Sequence, residues 1–436
     1  MKTGEESSDD APTSTARERW LVAVLTVASM LAYIDKNIVS LMVIAIQKDL
    51  GLRPAQVTLA LGTAFAIANI LISIPAGWLA DRVQRRWIVA VAIALWSMMA
   101  IACGNVVGFV SLMLARAGVG LAEGLLPPSC YSMIGDAVPP RRRARALSIF
   151  SMSNLAGTGL AFLGGGILLG LLSKVDLSWL PLIGHLPPWG LALVLTGATG
   201  FPLVLLVFLL REPERRTTTA RQQASWGDVV RALAARRRTL VPLAVFSIAH
   251  AMLANSVNLW LSPLLISRFG LAPAQIGMIM GALLLTGGPL GLFIAGASID
   301  RLNRTTGKGA ERVALIAAIF IFPCAMLGAL ATSETVVWLA MGAFVLVSAT
   351  YLLVTASIVT RELPPPVVGR GIALFLLAQG LLGVGVAPTL TALAVETIFA
   401  GSSQAIGHAM ALMHGIYAVI GIFAALLLLK QKESVA

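Results

Sequence analysis

Charge is the scarcest commodity in this sequence. Only 12% of its 436 residues are Asp, Glu, Lys or Arg, against 58% hydrophobic, and a soluble domain carries about twice that charged fraction. The mean hydropathy of +0.87 agrees. Short alternating strands are also lacking, which excludes a transmembrane barrel. Cysteine is limited to Cys103, Cys130 and Cys324, all within apolar runs, so neither a disulfide framework nor a metal site is indicated. No G-x-x-x-x-G-K-[ST] loop is present, which excludes an ATP-driven pump. The N-terminus, MKTGEESSDDAPTSTARER, lacks a basic-then-apolar signal pattern and reads as a short cytosolic tail. Nothing in the chain calls for a cofactor.

What is there is long apolar runs. About a dozen are long enough to cross a bilayer, so the expected fold is all-α and polytopic, with twelve transmembrane helices. The spans expected are 20–46, 55–80, 87–107, 109–137, 144–172 and 189–210, then 240–267, 274–299, 312–332, 335–360, 370–398 and 406–429. Residues 1–19 and 431–436 are the tails. Two six-helix halves, 20–210 and 240–430, flank a polar linker at 211–239. Within the linker Trp226, Val229, Val230 and Leu233 recur at helical spacing beside Arg231 and Arg236–Arg238. That pattern predicts a short interfacial helix on an anionic leaflet.

The formal charge of +12 does not point to nucleic acid. Basic residues gather in alternate loops, as at Arg82, Arg85 and Arg86, at Arg141–Arg143 and Arg145, and at Arg301, Arg304, Lys308 and Arg312. Positive-inside topology then places both termini and the linker in the cytosol.

The halves repeat one another. Gly77, Asp81, Arg82 and Arg85 recur as Gly296, Asp300, Arg301 and Arg304, and Arg145, Phe150 and Asn154 recur as Arg370, Phe375 and Gln379. Internal repeats of this kind mark secondary transporters. The two G-x-x-x-D-R-x-x-R stretches resemble the signature loop of the major facilitator superfamily and its echo in the second half. The resemblance implies two pseudo-symmetric bundles rocking about a central cavity, and covers nearly the whole chain. In this reading Asp81, Arg82, Arg85 and Asp136, with Asp300, Arg301, Arg304, Arg145 and Arg370, form a cytosolic latch whose contacts break as that side opens. The competing reading is that the arginines only set topology.

A narrower resemblance rests on Tyr33-Ile34-Asp35-Lys36, on RAGVGLAEG and on PPRRRARALSIF. These are similar to the Spinster-like branch, which implies an amphiphilic solute such as a lysolipid or sphingoid base. Lys36 stands where that branch more usually has Arg, and Ala122-Glu123-Gly124 departs from its Gly-Glu-Ala order. The related organic anion:cation symporters, which carry sugar acids and carboxylates, share an acidic–basic pair in helix 1 and are the alternative.

The charges inside the apolar runs carry the chemistry. Arg116 and Glu123 are two helical turns apart and share a face. Counting rise per residue, Asp35 lies roughly 22 Å above the cytosolic end of its helix, and Arg116 roughly 10 Å below the outer end of its own. In a core about 30 Å thick the two levels nearly coincide. Intramembrane charges are costly unless they face protein or water, and are functional by default; the bland alternative is a buried pair fixing helix register. Burial favours the neutral carboxyl, and a nearby guanidinium favours the carboxylate. Asp35 is therefore the expected proton carrier, Arg116 its switchable partner or an anion anchor, and Glu123 a second titrating site. Candidate solute contacts are Lys36, Arg116, Glu123 and Asn154, with His250, Asn255, Asn258, Trp260, Tyr351, Thr355 and Gln379 from the second half. Asn255 and Asn258, at i and i+3, share a face. Glu396 reads as a solvated end residue, and His408 and His414 as structural.

A channel would need a continuous lined pore, and an enzyme a clustered nucleophile and base; neither pattern occurs. The sequence-level reading is a monomeric, proton-coupled secondary transporter in a bacterial inner membrane, with a small organic solute, protons and lipid as partners.

Overall fold

The computed structural model describes residues 12–175, 179, 183–215 and 225–431. Among the described residues, twelve helices are long and apolar enough to cross a membrane. In the first half they are α1 (Ala16–Leu41), α2 (Pro54–Ser73), α3 (Arg85–Gly104), α4 (Phe109–Ala137), α5 (Pro140–Leu172) and α6 (Pro188–Phe208). The second half holds α7 (Arg237–Phe269), α8 (Pro273–Thr306), α9 (Gly309–Leu330), α10 (Glu334–Glu362), α11 (Pro365–Thr397) and α12 (Ala405–Lys430). No strand occurs among the described residues. In hydrocarbon every backbone N–H and C=O must be met within the segment, which leaves such runs only the helix.

Local signals set the ends. Proline opens α2, α5, α6, α8 and α11, where its missing N–H costs nothing. Gly270 and Gly307 close α7 and α8 with φ of 67° and 69°, a left-handed conformation that suits glycine. Because no such stop occurs before Gly307, α8 runs well past the expected residue 299. The second repeat of the motif, Gly296 to Arg304, is consequently helical and not a loop. In the first copy the helix that continues α2 ends at Arg82, and Val83 turns extended.

The linker helix spans Trp226–Ala235. Ser225 accepts from the Asp228 N–H while Asp228 accepts from Ser225 in return, a reciprocal cap. Val229 is buried, whereas Trp226 and Val230 are exposed.

Glycines set how close the helices come. A Cβ on Gly120 would fall 2.3 Å from the Phe65 carbonyl, so α4 lies directly on α2. Between halves, α5 packs along α8, and a Cβ on Gly166 would lie 2.9 Å from Gly277 Cα. Near the same level α2 and α11 each loosen into a π-helical stretch, Leu59–Ala64 and Gly380–Val386. The two stretches touch, with Thr63 donating to the Gly385 carbonyl at 2.6 Å.

The hydrogen bonds described between halves join the outer parts of α2 and α11, and α5 packs along α8 from the outer end to mid-helix, where Gly288 meets Leu155. The halves are joined by hydrogen bonds on this far side, away from the linker, and among the described residues no such bond joins them on the linker side.

Candidate functional site

Asp35 and Arg116 meet in the interior of the first bundle. Arg116 Nη1 donates to Asp35 Oδ2 at 3.4 Å, with side-chain exposures of 1% and 0%. The valence is only part-filled, because Asp35 Oδ1 and Arg116 Nε have no hydrogen-bond partner. Trp96 Nε1, close by on α3, is also unpartnered. A long, under-satisfied buried pair contributes little to stability.

Lys36 points elsewhere, as expected from the roughly 100° turn per residue. Its Nζ lies 5.4 Å from the Phe65 ring centre and 5.7 Å from that of Tyr33. Arg116 also faces Phe65, at 5.3 Å. A cavity of about 40 Å³ opens here, with Lys36, Asn37 and Arg116 on one wall and Asn255, Asn258 and Pro388 on the other. A water needs about 10–15 Å³ by the same measure, so this space holds a few waters and no solute in this conformation. Asn255 Nδ2 donates to the Ala251 carbonyl at 2.8 Å, and its side-chain oxygen remains free to accept. Glu123 lies within electrostatic reach of Asp35, Lys36 and Arg116, and its Oε1 has no partner.

Four expected contacts thus converge: Lys36, Arg116, Asn255 and Asn258. Asn37 joins them unforeseen, bonded to the Tyr33 carbonyl at 2.8 Å and to Thr158 at 3.3 Å. Its amide follows two charged residues that dominate the stretch, so nothing in the pattern singled it out. Other candidates sit apart. Trp260 is fully buried and donates to the Pro388 carbonyl at 2.9 Å, so its polar atom is bonded within the bundle. Thr355 is likewise buried and bonded to the Tyr351 carbonyl. His250 is buried against Phe246, with ring centres 4.7 Å apart, and its Nε2 is unpartnered. Tyr351 lies 6.3 Å from His250 between ring centres. Gln379 is buried with Nε2 unpartnered, and Asn154 is exposed. His414 bonds Ser256 at 3.0 Å, and Ser256 bonds Thr391 at 2.9 Å, a wholly buried chain.

The motif residues divide by role. Arg85 is 1% exposed and pairs with Asp136 on α4 and, at 2.9 Å, with Glu212 just beyond α6. Glu212 also accepts from the N–H groups of Arg85 and Arg86, capping α3. These contacts all lie within the first bundle, where they join the ends of α3 and α4 to the chain leaving α6. The second half reverses the charges: Glu311 in the first turn of α9 pairs with Arg361 in the last turn of α10 at 2.5 Å. Arg82 stacks on Trp78 at 4.1 Å, and the Asp81 carbonyl accepts from Arg215. Gly77 has open space around it. Arg145, Asp300, Arg301 and Arg304 are exposed and form no ion pair with described residues. Arg370 lies 5.3 Å from the Trp226 ring centre, pinning the linker helix.

Glu396 is not a solvated end residue. Its Oε1 accepts from the Ala55 N–H of the other half at 2.7 Å.

Comparison with known proteins agrees with this architecture. The family model described as Major Facilitator Superfamily matches residues 25–388. An "MFS-type efflux pump" of Mycolicibacterium smegmatis is 24% identical over 95% of this chain and 93% of its own length. Human "Protein spinster homolog 1" is 29% identical over 57% of this chain and 46% of its own. The "D-galactonate transporter" of Escherichia coli is 28% identical over 48% and 46%. Among solved structures, a bacterial homolog of the human lysosomal transporter Spinster, inward-facing and unoccupied, superposes with a TM-score of 0.80 at 23% identity, over 96% of this chain and 99% of that one.

Proposed function

This chain belongs to the Major Facilitator Superfamily, and from that premise we propose that it is a proton-coupled transporter of an amphiphilic or anionic organic solute. It is an integral membrane protein with twelve spans, and its relatives and fold are those of transporters, not enzymes. The observation that carries the finer reading is Arg116, which faces Asp35 on one side and lines the cavity between halves on the other. An arriving anion competes with Asp35 for that guanidinium. Once Arg116 turns to the solute, the buried Asp35 carboxylate loses its counter-charge and takes a proton. Solute and proton are thereby linked through one shared cation.

The basic loops support assigning the linker side to the cytosol, so a conformation joined on the far side is inward-facing, in a bacterial inner membrane. The two halves supply a complete cavity in one chain, which supports a monomer. The latch role of the repeated motif now falls to the exposed members, Asp81, Asp300, Arg301 and Arg304, which are free to pair across the linker side when it closes.

Spinster-like relatives and the motifs around Tyr33 and Arg116 support an amphiphile. The D-galactonate transporter among the relatives supports a second reading, symport of a small sugar acid. Uptake into proteoliposomes separates the two: lysolipids and sphingoid bases against galactonate-like acids, each with and without an imposed pH gradient. Gradient-stimulated uptake of the amphiphile is expected. Uptake indifferent to the pH gradient would remove the coupling.

A further inference from the structure

A second cavity, of about 900 Å³, lies at the linker-side end of the first bundle, outside the interface between halves. It is bounded by the start of α1, the start of α3, the end of α4 and the chain leaving α6. Its volume falls within the roughly 300–1,000 Å³ typical of ligand sites.

Carboxylates outnumber arginines four to three on the wall until partners outside it are counted. Of its four carboxylates, Glu18 is paired with Arg142 at 3.2 Å, and Asp136 and Glu212 with Arg85, neither arginine being part of the wall. Only Glu214 lacks an ion pair among the described residues. The three wall arginines, Arg17, Arg86 and Arg211, face no carboxylate within ion-pair distance among the described residues. Arg86 spends Nη1 on the Leu210 carbonyl at 3.1 Å, and its buried Nε has no partner at all. Asp136 and Glu212 share the one Arg85, so the cavity and its ion-pair partners carry one more arginine than carboxylate, and the three guanidinium groups left to meet a ligand are those of Arg17, Arg86 and Arg211.

The rim is apolar. Trp20, Phe208 and Leu209 are exposed at 46%, 39% and 73%, at the ends of two membrane-spanning helices. Tryptophan at that depth marks the headgroup boundary. Guanidinium groups suit phosphate oxygens through bidentate bonds, and basic pockets between helices at this level take lipid headgroups.

We propose that this cavity is a binding site for the phosphate headgroup of an anionic phospholipid, with the acyl chains lying along Trp20, Phe208 and Leu209. The site is separate from the transport cavity. Arg86 sits beside the Arg85–Asp136–Glu212 cluster, so a bound headgroup braces the same helix ends that the cluster joins.

Native mass spectrometry of the purified full chain tests this with phosphatidylglycerol, phosphatidylcholine and soluble glycerol phosphate as probes. Phosphatidylglycerol should be retained at lower concentration than phosphatidylcholine. Arg17→Gln and Arg211→Gln, both exposed and without an ion pair, should each weaken its retention about fivefold, and Arg301→Gln, remote from the cavity, should not. Equal retention of the two lipids, or parental retention by both cavity variants, would overturn the site. Displacement of phosphatidylglycerol by an equal concentration of glycerol phosphate would overturn the lipid assignment in favour of a soluble phosphate.

Discussion

Glu396 of the second bundle caps the first turn of α2 in the first, its Oε1 accepting from the Ala55 N–H at 2.7 Å. A carboxylate at a helix start meets unsatisfied N–H groups and the positive end of the dipole. This bond and the Thr63 contacts to Gly385 and Thr389 lie on the side that must part for the transporter to face the other way.

Glu396→Ala should therefore favour opening of the far side. A hydrogen bond to a charged group contributes about 1.5–3 kcal/mol, which corresponds to a shift of tenfold or more between the two states. Ser40 lines the small cavity and is buried, and the three native cysteines are buried, so Ser40→Cys reports with little background. Faster labelling of Ser40→Cys from the far side is expected in the Glu396→Ala background. Unchanged labelling in well-expressed protein would show that Glu396 does not help hold that side shut.

The Arg85 cluster predicts stability. Removing Arg85 leaves Asp136 and Glu212 without their cation and should cost about 3–5 kcal/mol. Arg85→Gln should lower the thermal unfolding midpoint of detergent-purified protein, and Arg85→Lys should recover only part of it, since lysine cannot bridge Asp136, Glu212, Ser132 and the Pro213 carbonyl together. Equal midpoints for Arg85→Gln and the parent would refute the bracing role.

Much of this architecture is legible in the sequence. Twelve apolar runs, their division at the linker and the Asp35–Arg116 level match all follow from hydropathy and rise per residue, because the bilayer fixes both the element type and its length. What was not legible depends on contacts between distant residues. The Glu396–Ala55 bond joins positions 341 residues apart, and the Glu311–Arg361 pair reverses the charge order of the first half, so a search for repeated motifs passes over it. The bond from Trp260 to the Pro388 carbonyl is of the same kind, because periodicity places a side chain on a face without saying whether its N–H is already bonded. The second motif was expected in a loop because hydropathy ends near residue 299, while the helix itself continues to the glycine that can stop it.

Coupling is tested at Asp35. Asp35→Asn keeps the shape and removes the titration, leaving Arg116 a neutral partner. Accumulation driven by a pH gradient should fall to the level seen without one, while exchange of labelled for unlabelled solute persists. A variant that still concentrates solute under the gradient would move the proton to another group, with Glu123→Gln the next to measure.

The final prediction concerns the solute. Lys36 and Arg116 both belong to the first half, while the second half brings Asn255 and Asn258 to the cavity and no fixed charge. A dianion is held best by cations on both sides, an arrangement missing from this cavity. An anionic or zwitterionic head seated against Lys36 and Arg116 leaves its tail to lie on the apolar second bundle. Each buried methylene then adds roughly 0.8 kcal/mol, close to a fourfold gain in affinity. Binding of single-chain lysolipids to the purified protein, followed by intrinsic fluorescence or calorimetry, should strengthen with chain length and then level off once the cavity is filled. If affinity is flat across the series while a short sugar acid binds tightly, the amphiphile reading is wrong and the symporter of small organic anions takes its place.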